Sequence, residues 1–147
     1  VCVNAGMGGP IADHLENQKS GNEAEIRDLS GKVAKMDIQG FNAARILSNV
    51  IQSPETVFEV MPYFSFKGHF DPAHADAGQV KLLNGTPVLL SRSGYTGEFG
   101  FEIFLSPDAI VELWESLLEA GESFGISACG LGSRGPGQPG AEIADPA

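Results

Sequence analysis

The densest concentration of chemically useful residues lies in Leu90-Ser91-Arg92-Ser93-Gly94-Tyr95-Thr96-Gly97-Glu98-Phe99-Gly100-Phe101-Glu102-Ile103. Three glycines supply a turn that permits close approach of another group. The turn feeds a strand in which Phe101, Ile103 and Leu105 share one face, so Glu102 points to the other. A carboxylate on a strand is held in place better than one on a loop. It can accept two parallel N–H donors in a bidentate pair. Alternation alone favours a solvated outer-face acid. Tyr95, in the turn, offers a ring and a hydroxyl, either to a ligand or as a cap on the sheet.

Other residue types that carry chemistry are more scattered. His69 and His74 share a loop with Asp71 and Asp76, but their spacing matches no common metal site and reads as a polar loop. His14 is remote from both. Cys2 and Cys129 lack metal-ligand spacing, and no metal is expected. No Lys-Ser/Thr pair follows the glycines, so the segment is not a phosphate-binding loop, and no G-x-G-x-x-G opens a helix after a strand. Asp13 lies near a helix start, where an acid suits the positive dipole end.

The elements that must position these groups follow from periodicity. Residues 1–4 read as a short buried strand closed by Gly6, Gly8 and Gly9. Pro10 begins a helix with Ile11 and Leu15 on its apolar face, fraying near residues 17–22. A strand is expected at 26–29, then a Ser30-Gly31 turn. Residues 33–39 alternate, with Ala34, Met36 and Ile38 opposite Lys35, Asp37 and Gln39, as in a half-buried strand. Ala43, Ile46, Leu47, Val50 and Ile51 follow the spacing of an amphipathic helix, which Pro54 ends. A strand is expected at 63–66 and a loop at 68–74. Residues 79–83 and 86–92 flank Asn84-Gly85 as a hairpin. After the glycine-rich turn comes the strand 101–105. Ser106-Pro107-Asp108 then starts a helix with the stripe Ile110, Leu113, Trp114, Leu117 and Leu118, stopped by Gly121 or Gly125. This order predicts an α+β fold, a mostly antiparallel sheet flanked by helices.

Composition sets the outer limits. The chain has 147 residues, 42% of them hydrophobic, with 9 Lys+Arg against 19 Asp+Glu and a net charge of −10. That is enough chain for one domain with a real core. So acidic a chain does not hold nucleic acid or an anionic membrane through its overall field. No run is long and apolar enough to span a bilayer. Two cysteines make no disulfide framework, so a reducing, cytoplasmic setting is the default. The start at Val1 within an apolar run, without a signal-peptide pattern, and the Gly/Pro-rich residues 135–147 suggest a piece of a larger protein.

The Arg92–Ile103 segment resembles the R-x-G-Y-T-G-E-x-G-F-E-I signature of the aminomethyltransferases, the T-protein family of the glycine cleavage system. Val3-Asn4-Ala5-Gly6 resembles the family's V-N-A-G. Ile38-Gln39-Gly40-Phe41-Asn42-Ala43 resembles L-Q-G-P-x-A, with Phe41 in place of Pro. Cys129-Gly130-Leu131-Gly132-Ser133-Arg134 resembles G-L-G-A-R-D. The resemblance runs from Val1 to Arg134 and covers less than half of a whole family member. It implies a partial folate-binding domain at 1–134, followed by a disordered or aberrant tail at 135–147.

It further implies a reaction. The family transfers a methylene unit from an aminomethyl-lipoyl arm of the H-protein to tetrahydrofolate and releases ammonia. Tetrahydrofolate as co-substrate and lipoylated H-protein as partner are therefore implied. Glu102 matches the family's glutamate on the pterin edge, Tyr95 its turn tyrosine, and Arg134 its arginine lining the folate site. The family's catalytic Asp stands seven residues after the Asn of V-N-A. In this chain that position is Ile11, and the nearest acid is Asp13. The two-residue offset turns a helical side chain by roughly 200°.

The isolated chain is expected to be inactive in transfer and prone to self-association through apolar surface. A non-catalytic folate-binding or regulatory relative and a folate-dependent demethylase are the alternatives. The related family that supports iron–sulfur enzyme maturation carries a K-G-C-Y-x-G-Q motif, which is absent here.

Overall fold

A computed structural model of the chain describes residues 2–3, 6–19, 21, 24–130 and 142–144. The chain divides into two units, Val1–Lys32 and Val33–Ala147. In the first, helix α1 (Gly8–Gln18) buries none of its residues. It begins two residues before Pro10. A Cβ on Gly8 would meet Ser30 Oγ at 2.8 Å, so the helix start and the 29–32 turn lie in contact. The strand expected at 26–29 does not form. Arg27 is instead paired with Glu25, and Asp28 Oδ1 accepts the Ser30 N–H at 2.8 Å, which bends the chain into its turn. Cys2 and Val3 are not in a strand; Val1 and Asn4 of that expected strand lie outside the described residues.

The second unit is built on a six-stranded sheet in the order β2-β3-β4-β1-β6-β5. The strands are β1 (Ala34–Gln39), β2 (Phe66–Gly68), β3 (Leu89–Ser91), β4 (Gly100–Leu105), β5 (Ser127–Cys129) and β6 (Glu142–Ala144). All neighbours are antiparallel except β1 and β6. The helices are α2 (Ala43–Leu47), α3 (Pro54–Phe58) and α4 (Ile110–Gly121). The expected α+β architecture is what forms. The domain boundary expected near residue 134 lies outside the described residues.

One sheet face carries Met36, Ile38, Phe101, Ile103 and Leu105, all buried, and forms the core with Ile46, Leu47, Leu113 and Leu117. Helices α2 and α4 supply these last four at helical spacing, which is why the apolar face of β1 and β4 lies against them. The other face carries Lys35, Asp37, Gln39 and Glu102.

Several elements differ from the sequence expectation for local reasons. The helix from Ala43 stops at Leu47, because Ile51 turns away to bridge Leu82. Its expected apolar residues are nonetheless buried. Pro54 opens α3, at a position where its missing N–H costs nothing. The strand expected at 63–66 shrinks to Phe66–Gly68. Phe64 sits at φ +62°, and the Ser65 N–H bonds back to Pro62 O, so the chain is not extended there.

The hairpin at Asn84-Gly85 forms, with Lys81 bridging Pro87 and Gly85 at φ +91°. Its second arm then leaves the first and becomes β3 between β2 and β4. Ser106 makes no side-chain cap; a 3-10 turn at Pro107–Ala109 leads into α4 instead. Strand β5 had no periodic signal in the sequence.

Candidate active site

The register of the sheet assembles the site. Phe66 on β2 faces Ser91 on β3, Ser91 faces Glu102 on β4, and Glu102 faces Asp37 on β1. Directly paired residues point to the same side, so these four form one row across the face away from the helices. Lys35, two residues before Asp37, shares that face.

Glu102 is not a solvated outer-face acid, since its side chain is 13% exposed. Both of its oxygens are engaged by this chain's own donors. Lys35 Nζ donates to Oε1 and the Ser93 hydroxyl donates to Oε2. Ser93 Oγ lies 2.7 Å from Ser91 Oγ, which extends the hydrogen-bonded chain. Lys35 Nζ is also 3.2 Å from Asp37 Oδ1, and Asp37 is 1% exposed. Burial alone would depress the Lys35 ammonium. The hydrogen bond to Glu102 and the charges of Asp37 and Glu102 outweigh burial and raise its pKa above the ordinary lysine value.

The expectation that Asp37 and Gln39 lie on the wetter side of a half-buried strand is corrected: both are 1% exposed. Gln39 is covered by the glycine-rich segment. Its Nε2 donates to Ser93 O at 3.2 Å and Phe101 O at 3.4 Å, and its Oε1 accepts from Thr96 Oγ1 at 3.4 Å. A Cβ on Gly94 or on Gly100 would overlap the Gln39 carboxamide. These glycines leave the room that Gln39 fills. The Q-G and G-Y-T-G-E segments, far apart in sequence, are therefore one packing unit. The Gly40 N–H adds a bond to Phe99 O at 2.7 Å.

Arg92 clamps the end of the same segment. Its guanidinium lies 3.9 Å from the centroid of the Phe99 ring and 5.5 Å from that of Tyr63, and Nη1 donates to Gly100 O at 3.0 Å. Tyr63 and Phe99 are exposed, and the guanidinium also lies 5.6 Å from the ring centroid of Phe101, a core-face residue, so this cluster sits on the side of β4 away from Glu102. A carboxylate with fixed donors, in one row with the exposed Phe66, suits a flat, nitrogen-rich ring that donates along one edge.

The other expected residues are placed as follows. Tyr95 lies in the β3–β4 connection and is exposed. Asp13 is exposed on α1, outside its first turn, and belongs to the first unit, whereas Glu102 belongs to the second. Arg134 lies outside the described residues. His69 and His74 stack at 4.0 Å. Among the described residues no group of three or more His, Cys, Asp or Glu could hold a metal, and no helix is long and apolar enough to cross a membrane. A separate groove of about 590 Å³, floored by Val50, Leu82, Leu113 and Phe124, includes none of these candidates.

Sequence reasoning missed Lys35, Asp37, Ser93 and Gln39 as parts of this site and Arg92 as the clamp on its glycine-rich segment. Arg92, Ser93 and Gln39 stand inside the motif segments themselves. The alternation of β1 put Lys35, Asp37 and Gln39 on one face, but only the β1–β4 register shows that this face meets Glu102.

Comparisons with known proteins agree with the motif. A family model of the GCVT N-terminal domain matches residues 1–136. Aminomethyltransferases of Bacillus cereus (strain G9842), Bacillus anthracis and Bacillus thuringiensis subsp. konkukian (strain 97-27) are each 40% identical over 112 residues. These matches cover 76% of this chain and 27% of each relative, so the chain spans about a quarter of the length of the relatives it matches. With its signature segment folded around Glu102 and the family match running over residues 1–136, the chain belongs to the GCVT N-terminal domain family.

Proposed function

We propose that this chain carries the pterin-binding part of an aminomethyltransferase. The methylene of an aminomethyl-lipoyl H-protein passes to tetrahydrofolate, and ammonia leaves. The observation that carries this reading is the Glu102 carboxylate, oriented at both oxygens by Lys35 and Ser93 in a row that also holds the exposed Phe66. Each carboxylate oxygen has more than one lone pair, so it can accept a pterin N–H while keeping its present donor. Glu102 would take the 2-amino group and the adjacent ring N–H. The Tyr95 ring would pack against the folate, and Arg134 would face its anionic tail. Asp13 would orient the accepting amine. The reaction fits a reducing, cytoplasmic compartment.

A second reading, a folate-binding relative without catalysis, is favoured by one observation. Ile11, half-buried on α1, stands where the family's catalytic acid is expected, and Asp13 is two residues on. Taken alone, the 147 residues are expected to bind folate without methylene transfer. Turnover with H-protein, ammonia and methylene-tetrahydrofolate would overturn that expectation.

Calorimetric titration with 5-formyltetrahydrofolate tests the site. Glu102→Gln should weaken binding by about 1–3 kcal/mol, the usual loss when a charged acceptor is removed from a site. An unchanged dissociation constant would remove Glu102 from the folate site.

A further inference from the structure

Two carboxylates stand opposite each other on the site face. Asp37 and Glu102 are directly paired across β1 and β4, and the first is nearly inaccessible to water. Like charges in that position repel, and in a poorly solvated setting one of them ordinarily holds a proton. A protonated Glu102 would present an O–H toward a ligand edge that itself consists of N–H donors. The chain has a cation at the point of conflict: Lys35 Nζ reaches both acids. The hydroxyls of Ser91 and Ser93, from β3 and the segment after it, also face Glu102. On the far side of β1, Glu142 of β6 is in register with Asp37, and Cys129 of β5 with Glu142.

We propose that Lys35 is the positioning residue of this site: by bridging Glu102 and the buried Asp37 it lets both carboxylates carry charge across one strand pair, so that Glu102 meets its ligand as an ionised acceptor. The ligand half of this statement rests on the pterin reading above. The electrostatic half does not. Nothing in the family signature segments dictates a lysine and an aspartate at these two positions of β1; the assignment comes from the register and the two contacts of Nζ.

The proposal predicts proton-coupled binding once the lysine is gone. In Lys35→Met one carboxyl group should titrate higher by roughly two pH units. Affinity for a reduced folate, flat with pH in the parent chain, should then fall about tenfold per pH unit below that midpoint. Lys35→Arg should restore the parent titration. Adding Asp37→Asn to Lys35→Met should restore it too, because the competing charge is removed.

Two readouts test it in the 147-residue chain: carbon-13 NMR titration of labelled Asp and Glu carboxyls, and the pH profile of 5-formyltetrahydrofolate binding. An upshifted carboxyl in Lys35→Met, reversed in Lys35→Met/Asp37→Asn, is the expected result. Identical carboxyl titrations in Lys35→Met and the parent would overturn the proposal, whatever the folate result. If the titrations behave as expected but Glu102→Gln binds folate like the parent, the pterin reading fails and the role of Lys35 in setting charge stands. Where Lys35→Met fails to fold, folding of Lys35→Met/Asp37→Asn would support the proposal, because it removes the buried charge that Lys35 contacts. Failure of both variants, with Lys35→Arg folded, would assign Lys35 to the fold instead of the site and overturn it.

Discussion

Substituting alanine at the two glycines beside Gln39 makes a sharp test of how the signature segment is held. Neither Gly94 nor Gly100 has a positive φ. Alanine at such positions ordinarily stabilises by about 0.4–1 kcal/mol through the unfolded chain. Here space decides the sign. At Gly94 the three heavy atoms nearest to the new methyl all belong to the Gln39 carboxamide. Gln39 is buried, so yielding means overpacking or expulsion from its bonds to Ser93 O and Phe101 O. Overpacking costs about 1–3 kcal/mol, and each neutral hydrogen bond lost about 1 kcal/mol. Less the gain in the unfolded chain, Gly94→Ala should destabilise by about 1–2 kcal/mol.

At Gly100 the methyl also overlaps the carbonyl oxygen of Ile38. That oxygen belongs to β1 beside its pairing with β4 and cannot move without disturbing the ladder. Gly100→Ala should therefore cost more, about 2–4 kcal/mol. Urea unfolding followed by the fluorescence of Trp114, the single tryptophan, measures both. The decisive comparison repeats each substitution in a Gln39→Ala background. There Gly94→Ala should cost much less, because the carboxamide nearest to it is gone. Gly100→Ala should remain costly, because Ile38 O is still in place. Equal cost of Gly94→Ala with and without the Gln39 side chain would refute the packing unit.

Other outcomes follow from single contacts. Lys35 has a raised folded pKa against a reference of 10.5. Its contribution to stability is therefore fully present below the unfolded value and is lost as pH rises through the folded one. The urea midpoint of the parent chain should fall above about pH 10.5 relative to Lys35→Met, whose midpoint should not show that drop; parallel curves would remove the ion pair from the stability of the sheet. Arg92→Lys keeps the charge but loses the flat stack on Phe99 and the bond to Gly100 O. It should cost about 1–2 kcal/mol and speed amide exchange across residues 94–99. Unchanged protection there would mean that Arg92 does not hold the segment.

Much of this protein is legible in its sequence because the signals are short-range. The alternation of Phe101, Ile103 and Leu105 predicts β4 and which of its faces is buried, and the 3.6-residue spacing of Leu113 and Leu117 does the same for α4. Alternation also separates Lys35, Asp37 and Gln39 from the core residues of β1, and the G-Y-T-G-E segment identifies the family. In each case neighbouring side chains along one element carry the information, and the period of the backbone converts it into a face.

The tertiary structure alone decides which faces meet. Register sets Asp37 against Glu102 with Lys35 between them. The seat of Gln39 depends on two glycines more than fifty residues away, of which Gly94 lies in an irregular segment without any period. Phe64 breaks the expected strand at 63–66 because its φ is set by turn bonds and by the Arg92 backbone, which no local pattern encodes. The same holds for the charge state of the site. Sequence supplies the lysine and the two acids, but only pairing across strands, in a place from which water is largely excluded, makes the charge of each depend on the other two.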